Sequence, residues 1–170
     1  MSFSVKSSGG ALPGLKALRE RMKDANKSVL VGVPVGAKPE EDGTPMAMIA
    51  AVHEFGSPEQ NIPERSFLRG GIRRGMPKFS ALNEKNLRAV VQGESTVSQA
   101  MGQLGALAAG EVKREFTAGD FAPLKQSTID ARKRRFGKAS SRPLVATGNL
   151  RQSITWVEAG SESANARIVR

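Results

Sequence analysis

Between Val97 and Phe116 the apolar residues Val97, Met101, Leu104, Ala108, Val112 and Phe116 recur every three or four positions. That period keeps a stripe on one side only if the backbone is an α-helix, so the segment predicts a helix roughly 30 Å long. A helix of that length spans most of a small domain, and the rest of the chain must pack along it. The Ala and Gly residues interspersed in it let a neighbouring element approach closely.

The flanking patterns supply the partners. Residues 12–27, LPGLKALRERMKDANK, place Leu12, Leu15, Leu18 and Met22 at helical spacing opposite charged positions, with Pro13 suited to a first turn. The β-branched run over 28–33 reads as a strand ended by Pro34, and residues 36–44 as a polar loop. Pro45 opens a second helix with Met48, Ile49, Val52 and Phe55 along one stripe and Gly56 as its stop. SPEQNIPER then forms a proline-bounded loop, and a third helical segment begins at Ser66, with Gly70, Gly71, Gly75 and Pro77 predicting a break or kink near Met76. After the short apolar loop at 121–124, Ser127 with Asp130 predicts the cap of a short helix, TIDARKRRFG. TGN at 147–149 marks a turn, LRQSITWVE alternates as a strand through Leu150, Gln152, Ile154 and Trp156, and ANARIVR predicts a closing strand paired to it across a turn at 160–163.

The expected fold class is α+β: a small antiparallel β-sheet packed against several α-helices, with an extended N-terminal arm and long loops. Residues 1–11 form the arm, whose Ser/Gly-rich start is expected to be disordered on its own, and residues 12–170 one domain. Hydrophobic residues are 39% and aromatic residues 5%, so the core must rest on Leu, Val, Ile, Ala and Met. The absence of cysteine excludes disulfides, thiol nucleophiles and cysteine-ligated metal centres. MSFSVKSSGG has no apolar leader core, and no apolar run approaches the roughly 20 residues of a membrane span, so a soluble chain made in the cytoplasm is expected. With 26 Lys and Arg against 16 Asp and Glu, the formal charge of +10 favours acidic partners, either nucleic acid or acidic protein surfaces.

Candidate chemistry centres on VHEFG, which holds the single histidine, His53, beside Glu54. A His–Glu pair on a helix suggests the H-E-x-x-H zinc motif, but the second histidine is missing, and one His with no Cys leaves too few ligands. No G-x-S-x-G elbow or phosphate-binding loop accompanies it. A histidine packing near a helix end is the simpler reading, and no cofactor or enzyme activity is expected. GGIRRG reads as a basic loop contacting nucleic acid or, preferably, as a solvated helix face. KRRFGKASSR, with Arg132, Lys133, Arg134, Arg135 and Lys138 in or beside it, is the densest basic patch and leads into a Gly/Ser-rich tip, where nucleic-acid contact and a solvated face are equally open.

VHEFG followed by IPERSFLR (residues 62–69), and FAPLKQSTIDARKRR followed by RPLVATGNLRQSI, occur in the order of two sequence blocks. Together they resemble the tail-completion or neck proteins of tailed bacteriophages, the virion morphogenesis group, over roughly residues 46–156. Glu64 and Ser66 depart from that pattern, where Ala and Pro are common. The resemblance implies a small α+β structural subunit of the virion without enzyme activity. It implies a homo-oligomeric ring, expected as a hexamer, between the portal-side connector or head-completion proteins and the tail terminator or tail tube. The location is then the head–tail junction, after assembly in the host cytoplasm, with no membrane partner and with DNA in the channel as a further candidate contact.

In that setting His53, Glu54, Phe55, Ile62, Arg65, Phe67, Leu68 and Arg69 are candidate interaction residues. The prolines stiffen the loop, Phe67 and Leu68 are apolar anchors for a docking surface or for the chain's own core, and Arg65 and Arg69 can form bidentate pairs with carboxylates. The alternative class is a basic nucleic-acid-binding accessory protein, carried by the net charge and the Arg132–Arg135 cluster.

Overall fold

The computed structural model describes residues 13–137 and 141–159. Among them are six helices and a two-stranded antiparallel sheet, with 58% of residues helical, an α+β fold as expected. In chain order these are α1 (Pro13–Met22), β1 (Ser28–Gly32), α2 (Met46–Phe55), α3 (Phe67–Gln92), α4 (Val97–Ala118), α5 (Gln126–Phe136), α6 (Asn149–Ser153) and β2 (Thr155–Ala159). The N-terminal arm, the tip around Lys138 and the expected ANARIVR strand lie outside the described residues.

The long apolar period does produce the central element, α4, and a capping box starts it: Thr96 Oγ1 accepts the Gln99 N–H while the Gln99 side chain accepts the Thr96 N–H. α3 packs against it as the other arm of a helical hairpin. Gly71 makes that approach possible, because a Cβ there would lie 2.6 Å from the Val112 Cα. Arg74 pairs with Glu115 and Lys78 with Glu111, so the two buried carboxylates on α4 are neutralised by cations on α3. Phe67 and Phe116, each essentially inaccessible, pack in the core with ring centroids 4.7 Å apart and ring planes tilted by 53°, beside Met46, Val112 and Ile154.

β2 pairs with β1 in the register Val31↔Trp156 and Ser28↔Ala159. By the two-residue period, Val31 and Trp156 share the face toward the helices, while Leu30 and Val157 share the other. Gly105 of α4 is the seat for the indole, since a Cβ there would fall 2.4 Å from Trp156 ring atoms.

Several local expectations are corrected. α3 continues as one helix through Pro77 with no break at Met76; Pro77 is exposed, so the carbonyl it leaves unpaired can reach water. α5 begins one residue before Ser127, with Lys125 at its N-cap, and no side chain caps it. The alternation expected as a strand from Leu150 is a short helix, and the strand starts at Thr155. Leu150 and Ile154, four apart, are both buried while Gln152 is exposed, a pattern that a single helical turn satisfies as well as a strand does. Of the expected α2 stripe, Met48 and Phe55 are exposed, whereas Ile49 packs against the core and Val52 is half-buried; Met46, Ala50 and Glu54 are buried. GGIRRG is a helix face within α3, the simpler of its two readings.

Candidate functional site: the joint between α2 and α3

Gly56, with φ +76°, ends α2, and a Cβ there would meet the Glu64 backbone nitrogen at 2.9 Å. The chain then turns through residues 57–62, closed by reciprocal backbone bonds between Ser57 and Ile62 at 2.9 Å each, with Asn61 in the left-handed region. It returns so that the Arg65 N–H donates to the His53 carbonyl at 2.7 Å and α3 starts beside the last turn of α2.

Glu54 holds the two helices together. Its side chain is buried, and its carboxylate accepts from the Leu68 N–H (2.8 Å), the Arg69 N–H (3.1 Å), the Ser66 hydroxyl (2.8 Å) and Arg69 Nε (2.9 Å). Ser66 is the N-cap residue of α3 but makes no cap bond with its own side chain; the carboxylate of the preceding helix takes that role and adds negative charge at the positive end of the α3 dipole. Arg69 also donates to the Glu54 carbonyl and to Glu64, each at 2.9 Å, and its guanidinium lies 5.2 Å over the Phe55 ring. The bond with Glu54 is the main reason the Arg69 pKa is raised.

The carboxylate pair expected of Arg65 does not form among the described residues: the side chain is buried and donates instead to the carbonyls of Ala122 at 3.1 Å and Pro123 at 3.3 Å. This joins the first sequence block to the second. Arg132 of α5 donates in turn to the carbonyls of Arg142 at 2.9 Å and Val145 at 3.3 Å, fixing the loop before α6. His53 lies near both guanidinium groups. Burial first, then the charges of Arg65 and Arg132, hold its pKa down at about 4, and its Nδ1 is buried without a hydrogen-bond partner. The second turn is tied down as well: Thr147 and Asn149 donate to the two carboxylate oxygens of Glu40 at 3.0 and 3.2 Å.

The sequence-predicted interaction residues therefore fall into three groups. His53, Glu54, Arg65 and Arg69 form the joint and Phe67 is core. Ile62 and Leu68 are half-buried, and Phe55, 68% exposed, projects from the joint together with Met48 at 57%. In the basic cluster, Arg135 pairs with Glu41 at 3.2 Å and stacks on Phe136, whereas Lys133 and Arg134 are exposed on α5. Sequence reasoning missed Met48 as a surface residue, and missed Glu64 and Ser66 as members of the Glu54–Arg69 network; the polar residues on either side of the loop prolines were their only signal. Among the described residues no cluster of His, Cys, Asp and Glu is placed to hold a metal ion, and no helix is long and apolar enough to cross a membrane.

Comparison of the chain with protein-family models, with curated proteins and with solved structures finds no significant match in any of the three.

Proposed function

We propose that the chain is a structural subunit of a tailed-phage virion, a neck or tail-completion protein that joins the head to the tail as a homo-oligomeric ring. The observation that carries this reading is the joint: Glu54, Ser66 and Arg69 are spent on fixing α2 to α3 and Arg65 on holding the segment at Ala122 and Pro123, while Phe55 and Met48 are held outward on that rigid base. A preorganised apolar projection loses little entropy on docking, which suits assembly. Arg65 ties the first resembling sequence block to the second and Arg132 ties together the two halves of the second, which gives a structural reason for them to occur together. A ring needs heterologous contacts that close, so distinct faces of one subunit must complement each other.

The test is genetic. Deleting the gene from the phage is expected to leave DNA-filled heads and finished tails unjoined in lysates, and the purified chain should restore infectious particles when added back. Joined, infectious particles from the deletion strain would refute the proposal.

Exposed Lys133 and Arg134 on α5 favour a second reading, binding of nucleic-acid phosphates. Changing both to Ser leaves the Arg132 contacts in place. Under this reading it reduces DNA affinity and flattens its dependence on salt; unchanged affinity excludes the patch.

A further inference from the structure

Resting on that reading, we infer that copies of the chain are joined by strand exchange, in which residues 2–6 of one copy add to the open edge of β1 in the next.

The outer edge of β1 is left open by the described residues. Its five residues pair one to one with β2, from Ser28↔Ala159 to Gly32↔Thr155, and β2 is its one neighbour in the sheet among the described residues. In an antiparallel pair, alternate residues turn their N–H and C=O groups toward the partner and the intervening ones turn theirs away. Among the described residues no loop takes up that second set. Folded proteins guard such an edge with a bulge, or with a proline or a lysine in the strand. The unbroken register leaves no bulge, and SVLVG contains neither proline nor charge. Lys27, just before the strand, is held by Glu158 at 2.7 Å. An unguarded edge rich in β-branched residues is the template that an added strand uses.

The occupant is read from the sequence ahead of α1. MSFSVK alternates without exception, with Met1, Phe3 and Val5 against Ser2, Ser4 and Lys6. That pattern suits a strand with one face covered and the other wet. The edge of β1 offers such a place, since Val31 packs against the core while Leu30 shares the opposite face with Val157, which is 42% exposed. A segment so short buries too little apolar area to hold a strand alone, whereas on an edge its main-chain groups find partners.

Chain geometry sends the segment to a neighbour. α1, with 10 residues, is about 15 Å long, and its Met22 end is the one that leads through residues 23–27 into β1. The tether SSGGAL, residues 7–12, joins at the opposite end, Pro13, and would have to double back along all of α1 to reach the edge of its own copy. Donor segment and acceptor edge are different parts of the chain, so the contact is heterologous and passes from copy to copy until a ring closes.

The natural absence of cysteine makes cross-linking specific. Ser4→Cys and Leu30→Cys are made separately in the full-length chain, and circular dichroism and melting temperature verify that each is folded. With a short bismaleimide, a mixture of the two is expected to yield covalent dimers well in excess of those from either variant alone. No excess in the mixture overturns the exchange. So does a chain carrying both cysteines that closes on itself at high dilution while the mixture stays monomeric, because the segment then lies on its own edge. Independently, the full-length double variant Ser4→Pro, Val5→Pro removes main-chain donors from the segment. It should keep the melting temperature to within a few degrees and weaken self-association at least about tenfold by sedimentation velocity; unchanged association overturns the inference, and this variant decides alone if Leu30→Cys does not fold. If the chain is required for head–tail joining but fails these tests, the exchange is wrong and the proposed function stands. If it cross-links as expected but particles form without it, the exchange stands and the proposed function falls.

Discussion

Glu54→Gln is the substitution that best separates a structural carboxylate from a chemical one. The side chain keeps its shape but loses its charge, and one acceptor oxygen becomes an NH2 group. If the amide oxygen takes the Oε1 position, it can still accept from Ser66, the Arg69 N–H and Arg69 Nε, but the NH2 group then faces the Leu68 N–H, a donor against a donor. The lost cap costs about 1 kcal/mol. Turning the charge-assisted bonds to Arg69 into neutral ones at a buried site costs roughly another 1–2 kcal/mol. The sum, about 2–3 kcal/mol, corresponds to a fall in melting temperature of roughly 4–12 °C for a chain of this size. Thermal and urea denaturation followed by circular dichroism at 222 nm read this directly. A double-mutant cycle with Arg69→Met should return a coupling of about 1–3 kcal/mol, because the two side chains share one network. A Glu54→Gln protein that melts within 2 °C or so of the parent, or a cycle with no coupling, refutes the claim that this carboxylate binds α3 to α2.

Other expectations follow from the same geometry. The His53 pKa is depressed from 6.5 to about 4, so the stability that goes with its neutral form is complete above pH 6.5 and is lost as pH falls toward 4. Against a His53→Gln variant, the parent should lose up to about 2–3 kcal/mol more across that window, and parallel pH profiles in urea denaturation would contradict it. Gly71→Ala drives a methyl group into the α4 backbone and should cost about 2–4 kcal/mol, whereas Gly110→Ala, with nothing within 4 Å of the added carbon, should be neutral or stabilise by roughly 0.5–1 kcal/mol. Differential scanning calorimetry of the pair checks both signs.

The sequence was most informative where pattern and burial coincide. The spacing from Val97 to Phe116 marks α4 because the helix buries that stripe, and Gly56 marks the end of α2 because no Cβ fits there. Pattern misled where two geometries share one spacing: Leu150 and Ile154 suit a strand and a helical turn equally, and only packing against the core decides. It misled in part in α2, where Met48 and Phe55 of the apolar stripe are exposed although Ile49 packs against the core, while a glutamate is buried. The joint was legible as a set of residues but not as a device. Nothing in the letters HEFG says that Glu54 reaches 14 positions ahead to the Leu68 N–H, or that Arg65 reaches backbone carbonyls 57 positions on, because such partners are set by tertiary return of the chain. The glycines of GGIRRG read as loop formers in isolation; in the fold Gly71 is the point where α3 touches α4.

The proposed function stands or falls on assembly at the head–tail junction, and electron cryomicroscopy of intact phage particles produced from a genome carrying this gene measures that directly. The expected density is a closed ring at the neck into which the α3–α4 hairpin fits once per copy, with the α2–α3 joint against the neighbouring subunit. A neck fully explained by other proteins, with this chain absent from purified particles by mass spectrometry, would contradict it.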